Sequence, residues 1–185
     1  MNQSTVFLVV VAMAIVAVAI LAWVAVRKMR TKKLRARFGP EYERTVEQIG
    51  DRRKAEDELE ARRKRVEKFT IRPLSPDEQT RFGKEWAATQ ARFVDDPKAA
   101  LVEASRLVKE LMQARGYPVG DFEQRAADIS VDHPRVVSNY RSAREIAARS
   151  EQGKATTEDL RIAVVSYREL FEELLETPQL VEVAR

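Results

Sequence analysis

Apolar and polar residues divide this chain into three regimes. From Val6 to Val26 all 21 residues are apolar. From Glu41 to Lys68 the chain is densely charged, and only Tyr42, Val46, Ile49, Leu59 and Val66 form a thin apolar stripe. Beyond Ser75, apolar residues recur every three or four positions, the period of an amphipathic helix. That spacing predicts helices over 76–94 (Phe82, Trp86, Phe93, Val94) and 97–115 (Leu101, Ala104, Val108, Leu111, widened by Leu107 and Met112). It predicts a short helix around 121–129 (Phe122, Ala126, Ile129), then 134–149 (Val136, Tyr140, Ala143, Ala147) and 157–176 (Leu160, Ala163, Val164, Tyr167, Phe171, Leu174). No alternating strand pattern competes.

Capping residues punctuate these helices. Ser75-Pro76-Asp77-Glu78 reads as a capping box with proline at the first helical position. Asp96-Pro97 opens the next helix, and Asp132-His133-Pro134 a later one with Asp132 as N-cap. Thr156 and Thr157, ahead of Glu158 and Asp159, open the last. Gly116 follows Arg115 as a left-handed C-cap would. The expected fold class is all-α: a single N-terminal transmembrane helix, a charged helical stalk and a small bundle of four to five helices. The expected division is an anchor with a basic juxtamembrane segment at 1–38 and a charged stalk and link at 39–72. An all-α cytosolic domain follows at 73–177, with a tail at 178–185.

At about 1.5 Å per residue the apolar run is roughly 31 Å of helix, the thickness of a hydrocarbon core. A cleavable signal peptide would carry positive charge ahead of a shorter run and a small-residue site behind it. Here the leader MNQST has no charged side chain, and Arg27 and Lys28 follow the run at once. No ionisable residue lies inside the span, and no two of its six alanines are four apart. An ion pathway and a small-xxx-small dimer are therefore not indicated.

Charge then sets the orientation. Arg27, Lys28, Arg30, Lys32, Lys33, Arg35 and Arg37 are seven cations in eleven residues with no acid among them. Positive side chains beside a span stay in the cytoplasm, so the expected localisation is the cell membrane, N-terminus outside and helical domain cytoplasmic. The net charge of +4 arises from this patch alone, because 39–70 is neutral and 71–185 carries a net −3. The expected partner is thus the lipid bilayer, with the patch suited to anionic lipids. Nucleic acid is disfavoured, since the patch has only Phe38 as a stacking aromatic, no recognisable binding fold surrounds it and the helical domain is acidic.

The stalk, EYERTVEQIGDRRKAEDELEARRKRVEK, places Arg53 and Glu56 where a heptad would want core residues. Such a helix reads as a solvated spacer more than a coiled coil, with room for a weak homodimer and an interruption at Gly50. FTIRPL, 69–74, reads as an extended link.

Candidate chemistry is sparse. His133 is the only histidine, and cysteine is absent, so a zinc site lacks ligands. Asp121, Glu123, Asp128 and Asp132 lack calcium-loop spacing, and the six glycines make no phosphate-cradling loop. No cofactor is implied. Asp132 and His133 remain the one candidate site for an enzyme or ligand-binding function, against a purely structural role at a helix start.

RFGPEYERTV (37–46), ARFVDDP (91–97), RGYP (115–118) and SVDHPRVVSNYR (130–141) together resemble a family of small bacterial proteins with one N-terminal membrane helix and a helical cytosolic part. The resemblance spans most of the chain beyond the anchor. It implies membrane attachment but no activity, ligand or catalytic residue. Although relatives of this kind are labelled membrane or secreted proteins, the charge asymmetry favours the first label. The expectation is a non-catalytic interaction or scaffold module with a protein partner, its alternatives being an enzyme built around Asp132 and His133 or a nucleic-acid tether.

Overall fold

The computed structural model describes residues 3–176 and contains eight helices and no strand among them. The tail at 178–185 lies outside the described residues. Helix α1 runs Gln3–Phe38 without a break. Its stretch from Val11 has the length and hydropathy to cross a membrane, and none of the most apolar window is buried inside the protein. Met13, Ile15, Val18, Leu21, Trp23 and Val26 all lie outward, each more than half exposed. A helix apolar all round has no preferred face for a protein core, so its lateral partner must be supplied from elsewhere.

Gly39, at φ 49°, ends α1, and Pro40 begins α2 (Pro40–Ile49). Gly50, at φ 72°, caps α2 in the left-handed region. Asp51 then starts α3 (Arg52–Val66), its side chain accepting from the Lys54 N–H. The expected solvated stalk is therefore corrected. The charged stretch is not one rod but two helices folded back on the foot of α1. Leu34, Phe38, Tyr42, Leu59 and Val66, joined by Val131, make a small second core. Together with α1 these helices raise the count to eight, beyond a bundle of four to five.

The larger core belongs to α4 (Pro76–Arg92), α5 (Pro97–Arg115), α6 (Phe122–Asp132), α7 (Val137–Glu151) and α8 (Thr157–Glu176). Helix α8 packs along both α5 and α7. Trp86 stacks on Phe171 with ring centroids 4.5 Å apart, and Phe82 meets the same ring edge-on at 6.4 Å. The capping box at Ser75 and Glu78 is complete, and Asp96 and Thr156 cap their helices as their sequences predict. Gly116 takes φ 98°, and a side chain there would strike the Thr70 carbonyl. That contact binds the 69–74 link to α5, reinforced by the Arg72 N–H donating to the Arg115 carbonyl at 2.9 Å.

Candidate functional site

Of the residues singled out by sequence, Asp132 and His133 lie at the joint between the two cores, where Arg37 of the basic cluster joins them. Asp132 does not open a helix, which corrects the N-cap expectation. It ends α6, and His133 is the C-cap, its N–H donating to the Ile129 carbonyl at 2.8 Å. Pro134 sits at the first position past that cap, a place where proline stops a helix as readily as it starts one elsewhere. Helix α7 begins three residues later, at Val137, behind a Val136 cap with no side-chain hydrogen bond.

The Asp132 carboxylate is spent on tertiary contacts. It accepts from the Tyr117 hydroxyl at 2.8 Å, and Arg37 of α1 lies 3.7 Å away. His133 is buried, with Nδ1 3.2 Å from a Glu173 carboxylate oxygen. Both line a cleft of about 720 Å³ shared with Arg37, Arg115 and Arg135. Burial, then the Asp132 charge, push the Tyr117 phenol pKa well up, so at neutral pH it serves as a fixed donor. Burial pushes the Arg115 guanidinium down. A general base needs a proton to take and a nucleophile to take it from. Here the nearest phenol is already committed to Asp132. Among the described residues no group of acids and histidine could hold a metal ion.

Three charged contacts span the joint beside this cleft. Glu41 of α2 is 2% exposed and accepts from Arg141 of α7 at 2.9 Å and from Arg62 of α3 at 3.2 Å. Arg141 also donates to Glu123, and Arg62 to Glu58. Asp128 of α6 is 1% exposed, and Arg65 of α3 lies 2.7 Å from it. Arg37 and Asp132 form the third contact. A buried ion pair adds little net stability after desolvation, but its partners cannot slide without leaving a bare charge. The buried Glu41–Arg141 and Asp128–Arg65 contacts therefore fix register between the α1–α3 unit and the helical domain, whereas Arg37–Asp132, at 3.7 Å between partly exposed side chains, adds little.

A fourth network holds the foot itself. Glu56 accepts from the Thr31 hydroxyl at 2.8 Å, from the Tyr42 hydroxyl at 2.8 Å and from Arg52 Nε at 3.2 Å. Burial by itself would raise its pKa, but those three donors outweigh it and hold the carboxyl below the usual value.

Comparison with family models, with curated proteins and with solved structures returned no match.

The basic cluster is not a uniform belt. Arg30 pairs with Asp57, Arg35 with Glu43 and Arg37 with Asp132. Arg27 lies 5.4 Å over the Trp23 ring. Lys28, Lys32 and Lys33 are exposed and form no ion pair among the described residues. Sequence reasoning missed Glu41, Arg62, Asp128 and Arg141 as joint residues. The available signal was spacing: Leu59, Arg62 and Val66 share one face of α3, so the arginine stands in the apolar stripe.

Proposed function

We propose that this chain is a single-pass membrane protein whose anchor foot and charged helices form a pedestal, holding a helical interaction module at a set orientation on the cytoplasmic face. The buried Glu41–Arg62–Arg141 contact carries this reading, because a flexible tether has no use for charges desolvated across its joint. The apolar α1 and the seven cations at its foot support the anchor and its sidedness. The module acts by presenting helix surfaces to a protein partner, without catalysis.

The test has two arms. The intact protein stays with membranes through high salt and carbonate, and a cytoplasm-dependent reporter after Arg185 is active. Release by salt, a mature N-terminus beyond Val26, or activity of an export-dependent reporter contradicts the reading.

A second reading is favoured by one observation, the cleft of about 720 Å³ that gathers Asp132 and His133 with three arginines. It makes the joint a binding site for an anionic ligand. Asp132 already pairs with Arg37 and His133 already meets Glu173, which favours the structural joint. If His133→Ala abolished function while folding and attachment stayed intact, the ligand reading would replace the interaction module.

A further inference from the structure

A second cleft, of about 490 Å³, lies on the opposite flank of the α1 foot. Its walls include Trp23, Arg27, Lys28, Lys32, Arg35 and Arg52, and no carboxylate lines it. Trp23, Arg27, Lys28, Lys32 and Arg35 follow helical spacing down one side of α1, whereas Arg52 comes from the start of α3. Arg52 is fixed there by its Nε, which donates to the Tyr42 hydroxyl at 3.1 Å and to Glu56 at 3.2 Å. Glu43 pairs with Arg35 and Glu56 with Arg52, neither carboxylate lining the cleft, which leaves it with three cations that form no ion pair among the described residues: Arg27, Lys28 and Lys32. Lys28 and Lys32 have no ion pair among the described residues, so their ammonium groups are available to a ligand.

The cleft also has a defined depth. Trp23 is 60% exposed at the end of the apolar run, where indole rings settle at the bilayer interface. Lys28 lies about 8 Å further along the helix axis, within the headgroup layer. The volume falls within the range of small-ligand sites, roughly 300–1,000 Å³.

We propose that this cleft is a binding site for the phosphodiester headgroup of an anionic phospholipid, with Lys28 and Lys32 meeting the phosphate and Arg52 closing the site from α3. A soluble anion would use the cationic end but gain nothing from Trp23 and Val24, which belong to the last turn of the apolar run. A lipid uses both. Folding of the pedestal completes the site, because without α3 the basic face of α1 is an open stripe. The inference rests on the membrane anchor proposed above.

The test uses the full chain reconstituted into phosphatidylcholine vesicles, with Trp23 fluorescence quenched by brominated lipid. Trp86 is buried in the helical domain and contributes a constant background. Brominated phosphatidylcholine throughout the bilayer should quench Trp23, and failure there would refute the anchor. A few per cent of brominated phosphatidylglycerol should quench it more than the same fraction of brominated phosphatidylcholine. Lys28→Gln and Lys32→Gln should each reduce that preference about fivefold. Lys33→Gln, on the far side of α1, should leave it unchanged. With the anchor intact, equal quenching by both lipids, or an equal loss on Lys33→Gln, would overturn the site. So would loss of the preference on adding inorganic phosphate at an ionic strength where sodium chloride has no effect, which would assign the cleft to a soluble phosphate ligand.

Discussion

The two cores of this molecule are built from different materials. The α4–α8 core is assembled from aliphatic and aromatic side chains, with Leu107, Leu111, Tyr167 and Phe171 essentially inaccessible. The pedestal core has a cluster of five apolar residues of its own from α1–α3, and besides Ala55 its remaining interior is polar or charged: Thr31, Glu41, Thr45, Glu56 and Arg62. Burial of apolar area is non-directional and tolerates repacking, so the first core supplies stability. Buried charge is directional and intolerant of displacement, so the second supplies orientation. On the proposed reading, in which α1 crosses a membrane and carries the helical domain, orientation is the property the joint has to provide.

The largest expected effect breaks the apolar side of this comparison. Phe171→Ala removes the ring stacked on Trp86 and should cost about 3–5 kcal/mol, read by denaturant unfolding of the full chain in detergent. Glu41→Ala tests the polar side. It strands the Arg62 and Arg141 guanidinium groups in a buried setting and should cost about 3 kcal/mol, near the lower end for a broken buried pair, since Glu58 and Glu123 remain. Replacing Glu41, Arg62 and Arg141 together by leucine or methionine should be nearly neutral for stability while loosening the joint. If the triple substitution instead proved as damaging as Glu41→Ala, the charges would be structural supports and not a register device.

A smaller effect concerns Asp132. Its removal leaves the buried Tyr117 hydroxyl unpaired and should cost about 1–3 kcal/mol. A double-mutant cycle with Tyr117→Phe should show strong coupling between the two, whereas an N-cap role for Asp132 would show none. The smallest effect is in acid. The Arg72 guanidinium, followed by the Ser75 N–H, holds the Glu78 carboxyl at about 2, well below the ordinary 4.5. A carboxyl with a depressed folded-state pKa stabilises the fold fully above its unfolded value, and that stability fades as pH falls from 4.5 toward 2. Glu78→Gln should therefore flatten that part of the acid-unfolding curve.

Much of the apolar half was legible in the sequence. Helices over 97–115 and 157–176 have the bounds their stripes and caps predict, and Gly116 takes the left-handed turn expected of it. The start expected at Asp132-His133-Pro134 is instead the end of α6, because an aspartate shortly ahead of a proline is compatible with a helix start and a helix stop alike, and only packing decides. The pedestal was hidden for a deeper reason. Hydrophobic periodicity cannot register a face whose buried positions are glutamate and arginine. Of the two residues breaking the heptad pattern, Glu56 is buried under three donors while Arg53 is exposed, and nothing local to either distinguishes them. Asp132 and His133 were found as a pair but assigned to a helix start. Their cleft depends on Arg37, almost a hundred residues earlier, a proximity that no local pattern encodes.

A pair of spin labels reads the rigidity of the joint directly. The chain has no cysteine, so Lys33→Cys on the α1 foot and Lys154→Cys at the turn before α8 label two exposed positions cleanly. Their separation would be measured by pulsed dipolar spectroscopy on the full chain in lipid nanodiscs. A single narrow distance distribution is expected, broadening when Glu41→Ala and Asp128→Ala are introduced together. A broad distribution in the otherwise unaltered chain would contradict the pedestal and return the charged helices to the role of a flexible stalk.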